Sequence, residues 1–313
     1  MPQTSATIAE HLLRVGAIPA QRMLRSYDAL VLDVDGTLLD NHERIPPRTL
    51  AAIARARAAG VVVMLATGRS HDGVRDIARQ LQLDVPCIVF NGAAVYCPRE
   101  ERLIEECSLS ASFVADWLDF ALSADLLPVV ARPEGQYARE PRAEEAQLLE
   151  GFRHLSRVPH EALPRGEALR VTLFSLHHSD SAALHADVLA AGKGRPAYYT
   201  HFPLAALVGF RESAAQVVDI QPACQGKAEA LRLLQARFGI PAARVVAVGD
   251  AGNDLPILTT AGLGVAMGNA TPETKQAAGR VIGDNDSDAL AELIEELFLG
   301  ERERLAQADD VQP

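Results

Sequence analysis

The run Leu30-Val31-Leu32-Asp33-Val34-Asp35-Gly36-Thr37 ends a strand-like apolar segment in two aspartates one residue apart. Side chains along a strand alternate with a period of two, so both carboxylates would emerge on one side where the strand stops. Two anions so close repel unless a cation or a shared proton lies between them. Such a pair could hold a hard metal ion, and one carboxylate could attack an electrophile while the other moves a proton. Asp-Gly is also a common turn dipeptide, so the pair alone leaves an ordinary turn open.

Three further segments carry suitable groups. The run Val61–Ala66 reads as a buried strand and ends in Thr67-Gly68-Arg69-Ser70, before a helical stretch from Asp72 to Leu81. A Thr there can offer its hydroxyl and its N–H to an anion, although a plain Thr-Gly turn with a capping Ser fits the segment by itself. A third strand, Arg244–Val248, ends in Gly249-Asp250-Ala251-Gly252-Asn253-Asp254. Asn253 and Asp254 fall where a helix cap is expected. The carboxylates exceed what capping needs and suit Mg²⁺, which prefers oxygen ligands. Lys227 opens an amphipathic helix, Ala228–Phe238, where the helix dipole disfavours a cation. That placement suggests contact with a substrate phosphate.

Together these segments resemble the haloacid dehalogenase superfamily of aspartate-dependent phosphohydrolases, and cover the chain from about Asp28 to about Leu297. Asp33-Val34-Asp35-Gly36-Thr37 has the form of that family's first motif. Thr67, Lys227, and Gly249-Asp250 with Asn253-Asp254 match the second, third and fourth, in order. The resemblance implies Asp33 as nucleophile, Asp35 as general acid and base, and Thr67 and Lys227 as ligands of the phosphoryl oxygens. Asp33, the backbone carbonyl of Asp35, and Asp250 would hold Mg²⁺ directly, with Asp254 acting through water or behind them. Gly36, Gly68, Arg69, Asn91 and Asn253 would complete the phosphate side. For Arg69 a contact with the leaving group and a salt bridge at the helix start both stay open.

Strand and helix alternate from Ala29 to Phe90 and again from Gln216 onward, predicting a doubly wound parallel α/β sheet with Gln216–Ile220 as one of its strands. Ligands of such sheets bind beyond the carboxyl ends of the strands, where all four motifs fall. Between Asn91 and Ser213 the alternation breaks. Helices are expected at Ser112–Ser123, Glu144–His154 and Ser181–Ala191, and strands at Leu127–Ala131, Arg170–His177 and Ala206–Arg211. The expected organisation is an extension over 1–26, with a short helix near Ile8–Val15, then a core of 27–92 and 213–300. A cap, 93–212, is inserted as a separate α+β unit, and a polar tail covers 301–313. An insert between the second and third motifs resembles the C2-type cap of the Cof-like, or IIB, branch. Asn91-Gly92-Ala93 and Gly268-Asn269-Ala270-Thr271-Pro272-Glu273 look like that branch, whereas Gln225-Gly226-Lys227-Ala228 departs from its usual Ser-Lys-Gly. Arg132, Arg139 and His201 are candidate specificity residues of the cap.

The chain has 313 residues, 48% of them hydrophobic, and a net charge of −11 with no basic tract. Binding nucleic acid through phosphate neutralisation is therefore not expected. Its four cysteines lack metal-ligand spacing, and no segment is long and apolar enough to span a bilayer. The expected setting is cytoplasmic, as a monomer or homodimer acting on a small phosphorylated metabolite. A phosphomutase and a non-catalytic binder of phosphate ligands are the alternatives. A receiver-type signalling module would not carry the insert.

Overall fold

Apolar runs that end in the chemistry-bearing residues lie side by side as strands. A computed structural model describes residues 26–299 apart from 151, 153 and 154. The first part of the core holds β1 (Ala29–Leu32), α1 (Pro47–Ala58), β2 (Val62–Leu65), α2 (His71–Gln80), β3 (Cys87–Val89), β4 (Ala94–Cys97) and β5 (Arg102–Glu106). The insert follows with α3 (Ala111–Ser123), β6 (Leu127–Arg132), β7 (Gly135–Arg139), β8 (Leu155–Val158), β9 (Arg170–Ser175), α4 (Ser181–Gly192), β10 (Tyr198–Pro203) and β11 (Gln216–Gln221). The chain returns through α5 (Glu229–Phe238), β12 (Val245–Gly249), α6 (Leu255–Leu258), β13 (Leu263–Ala266), α7 (Pro272–Ala277), β14 (Arg280–Val281) and α8 (Ala289–Phe298).

The core sheet runs β14-β13-β12-β1-β2, every pair parallel. Beyond β2 a parallel bridge from Ala66 to Ile88 continues it to β3. Along β1, Leu30 and Leu32 join one apolar cluster with Ile53 of α1, Ile77 of α2 and Ile294 of α8. Ala29 and Val31 join another with Leu234 of α5 and Ile257 of α6. Strict alternation thus buries both faces, which is why these strands read as unbroken apolar runs. Truncating a fully buried member such as Leu32 to Ala would cost about 2–5 kcal/mol.

Four expectations need correction. Gln216–Gln221 is not a core strand: β11 pairs antiparallel with β9 and β10 in a separate six-stranded sheet, β10-β11-β9-β6-β7-β8. All six of its residues are buried, so the pattern could not distinguish it from a central parallel strand. Conversely, β4 and β5, expected in the insert, form an antiparallel edge on β3. Val95 and Ile104 pack into the core cluster there. Ala206–Arg211 is not a strand but two short turns, and Tyr198–Pro203 supplies the strand instead. Of Glu144–His154, only a 3₁₀ run from Ala143 to Leu149 forms among the described residues. The expected helix near Ile8–Val15 and the tail lie outside the described residues.

The six-stranded sheet carries α3 and α4 on one face, where Trp117, Leu118, Leu184 and Val188 meet Val171, Leu173, Val218 and Ile220. Its opposite face is apolar only toward one end, around Phe174 and Val217.

Candidate active site

Asp33 follows the last residue of β1, its N–H bonded to Val248 O of β12 at 3.0 Å. The chain then turns through Gly36, whose φ is +74°. A side chain there would meet the Asp250 carboxylate, since an ideal Cβ would lie 2.4 Å from its Oδ2. Glycine is therefore required on two counts, the left-handed backbone and the close approach. Thr37 Oγ1 donates to Asp250 Oδ1 at 3.3 Å.

The aspartates of the first motif do not share a partner. Asp33 is buried, and its Oδ1 accepts from Lys227 Nζ at 2.6 Å. Asp35 is half-exposed and turns to Arg69, accepting from Nε at 2.9 Å and Nη2 at 2.6 Å. Such a two-pronged pair is the strong geometry for guanidinium and carboxylate. Of the two roles left open for Arg69, an ion pair is the one seen, with Asp35 as its partner.

Lys227, in a short turn before α5, is fully buried and bridges Asp33 and Asp254, donating to Asp254 Oδ1 at 2.7 Å. Burial opposes its charge, but Asp254 and Asp33 outweigh that and hold its pKa above the usual lysine range. The other Asp254 oxygen accepts from the Asp250 and Ala251 N–H groups, each at 3.0 Å. Asp254 thus caps its own loop and anchors the lysine. Gly249 leaves room for it, because an ideal Cβ there would sit 2.3 Å from Asp254 Cγ.

Asp33, Asp250 and Asp254 each offer a carboxylate oxygen within 4.8 Å of the others, the one such acidic group among the described residues. Three carboxylates face one ammonium, a deficit of two positive charges that suits a divalent cation. Burial and the neighbouring carboxylates answer for the deficit electrostatically. The Asp33 carboxyl is pushed well above its ordinary range, and Asp250 is pushed up to about 7 by burial and by Asp254. The Asp35 side chain stands outside this cluster.

On the second motif, Thr67 is buried, and its Oγ1 accepts from Arg69 N at 3.1 Å, which leaves the hydroxyl proton to donate. Its N–H, expected to bind an anion, is instead bonded to Ile88 O. Asn91 sits in the left-handed region at φ 48° and accepts from Asn253 Nδ2 at 3.0 Å. Gly68 packs on the Asn91 amide. Asn253 Oδ1 is buried without a hydrogen-bond partner among the described residues. Thr67, Gly68, Arg69, Asn91, Asn253 and Lys227 therefore stand in one connected set of loops with Asp33.

Sequence reasoning missed a brace behind the first motif. Asn269 Nδ2 donates to Gly36 O at 2.8 Å, while Asn285 donates from its N–H to Asn269 Oδ1 and from Nδ2 to Leu39 O. The only sequence signal was the Gly268–Glu273 stretch, which carried no role. The three cap candidates are engaged within the cap. Arg132 meets Glu134 at 3.0 Å, Arg139 meets buried Glu145 at 2.7 Å, and His201 meets Ser181 at 3.0 Å.

A family model described as haloacid dehalogenase-like hydrolase matches residues 30–294. The chain belongs to that family. It is 30% identical over 273 residues to the 5-amino-6-(5-phospho-D-ribitylamino)uracil phosphatase YitU of Bacillus subtilis, covering 86% of this chain and 97% of that one. It is 32% identical over 274 residues to the HMP-PP phosphatase of Serratia proteamaculans, covering 86% and 94%. The solved structure of the subclass IIB sugar phosphatase BT4131 matches 87% of this chain and all of its own, with a TM-score of 0.71 at 22% identity. The haloacid dehalogenase core with its cap is thus the fold, and the enzyme is a phosphatase of that family. No helix among the described residues is long and apolar enough to cross a membrane.

Proposed function

We propose that this phosphatase hydrolyses phosphomonoesters of small metabolites by way of an aspartyl-phosphate on Asp33. The observation that carries the reading is the division of labour in the first motif: Asp33 is buried against Lys227, while Asp35, two residues on, is half-exposed and held by Arg69. An Asp33 oxygen attacks phosphorus as the bond from phosphorus to the ester oxygen breaks. Asp35, protonated and freed from the Arg69 fork, gives its proton to that oxygen. In the second half Asp35 takes a proton from water, whose oxygen attacks phosphorus. The bond to Asp33 breaks, releasing phosphate and restoring the carboxylate. Thr67 Oγ and Lys227 Nζ donate to the phosphoryl oxygens, whose charge must be stabilised in flight.

Asp33, Asp250 and the carbonyl of Asp35 are the proposed Mg²⁺ ligands, with Asp254 behind them. Bound there, the ion would offset the charge of the carboxylates and of the phosphoryl oxygens. The fit rests on the two-charge deficit of the acidic cluster.

The two relatives described above are named for different substrates, consistent with a core that recognises the phosphoryl group and leaves the remainder to the cap. The cap is taken to run from about Ser108 to Gln221, with the core on either side. A phosphate-release assay over a panel of phosphomonoesters, with and without Mg²⁺, tests the reading. Metal-dependent release from several of them is expected, and no release from any member would reject it.

A further inference from the structure

The cap grips the catalytic loops through buried or largely buried polar groups on two neighbouring strands. By strand alternation, Arg170 and Thr172 on β9 and Asp219 and Gln221 on β11 lie opposite the helix-covered face formed by Val171, Leu173, Val218 and Ile220. Arg170 Nη1 donates to the Gly68 carbonyl at 2.8 Å, and its guanidinium stands 5.3 Å from the centre of the Phe90 ring. Asp219 backs it at 3.4 Å and is itself fixed by Thr172 Oγ1 at 2.5 Å. Gln221, fully buried, donates to Phe90 O at 2.8 Å.

What these groups touch is a single device. The carbonyls of Thr67, Gly68 and Arg69 are consecutive, and each has a donor. The outer two accept from the Asn91 and Phe90 N–H groups of the core at 2.9 Å. The middle one accepts from Arg170 of the cap. Phe90, Asn91 and Gly92 all have positive φ, a strained turn for the first two that persists only where its surroundings fix it. The loop that carries the Thr67 hydroxyl is therefore finished only when the cap is docked.

We infer that Arg170 is a positioning residue that makes the phosphate-binding geometry of the Thr67–Arg69 loop depend on cap docking. This goes beyond the proposed hydrolysis in naming how the cap acts, and it rests on that reading only for the role of the loop. Asp219 keeps the guanidinium aimed. Removing Arg170 alone would strand a buried carboxylate, so the informative variant is Arg170→Met with Asp219→Asn, which keeps volume and removes both charges.

Amide hydrogen exchange at Arg69, Phe90 and Asn91, all bonded within the loop pair, reads the coupling without any activity. In the double variant these amides should exchange about fivefold or more faster, and inorganic phosphate should inhibit about fivefold more weakly, the scale of one hydrogen bond. Arg170→Lys with native Asp219 should recover part of both. Unchanged exchange and inhibition in the folded double variant, or a Lys variant no better than it, would overturn the inference. A second measurement needs no variant. Coupling is reciprocal, so saturating inorganic phosphate should slow exchange of the wild-type Cys107 amide, bonded to Ala93 O where the chain enters the cap. No change there would also count against it. If the wild type released no phosphate from any ester, hydrolysis would fail while the exchange readout still decided the coupling.

Discussion

Around Asp33 three carboxylates, two of them buried, cluster about one ammonium, which bonds Asp33 and Asp254. In the cap several carboxylates meet their own guanidinium at the surface, as Asp116 does with Arg195 and Asp119 with Arg165. Surface pairs of that kind contribute little, at most about 1 kcal/mol each. The core cluster is different: its charges are desolvated, and each constrains the others. The comparison teaches that charge is left unbalanced in the acidic cluster of the core, whereas the surface pairs of the cap balance theirs. Arg170 and Asp219 are an exception, a largely buried cap pair that faces the core.

The largest effect should come from Asp33. Asp33→Asn removes the attacking oxygen, and turnover should fall by at least about 10³-fold in a phosphate-release assay. Near-normal turnover would erase the distinction between the two regions. Chelation should be nearly as severe. Excess chelator should abolish release, and Ca²⁺ should restore it poorly because it favours looser, higher coordination. Full activity in chelator would mean that the charge deficit serves something else. Asp35→Asn retains the nucleophile but loses the acid and base, a drop of at least about 10²-fold.

Smaller effects should appear in stability. Burial and then Asp254 push the Asp250 carboxyl up to about 7 in the folded chain, and Asp33 is raised too. A raised carboxyl contributes stability that is present at acidic pH and lost as pH rises from about 4 through about 7. Mg²⁺ should therefore raise the melting temperature more at about pH 8 than at about pH 5, as thermal melts would detect. An equal shift at both would contradict the charge accounting. The smallest effect is expected at Arg132→Ala. That residue spends its charge on Glu134, so both stability and hydrolysis of an aryl phosphate should change little, less than about twofold in rate.

Much of the site was legible because its residues end strands. Asp33, Thr67 and Asp250 each close an apolar run, and that arrangement brings them together in a parallel sheet. The partner of each charge was not legible. Nothing in the spacing assigns Asp35 to Arg69, or both Asp33 and Asp254 to Lys227, because those pairings depend on how loops far apart in sequence meet. The place of β11 was misread for a related reason. β11 is buried on both faces, one by α4 and one partly by the core, so its sequence matches that of a central strand. Arg170 gave no signal at all, being one arginine at the start of a strand that carries Val171, Leu173 and Phe174.

Trapping the phosphorylated residue tests the central claim most directly. Asp35→Asn, mixed with a labelled phosphomonoester and quenched in acid, should carry one phosphoryl group on the peptide that contains Asp33, seen by mass spectrometry. Asp33→Asn treated in the same way should carry none. A phosphoryl group on another residue, or one that persists in Asp33→Asn, would contradict covalent catalysis through Asp33.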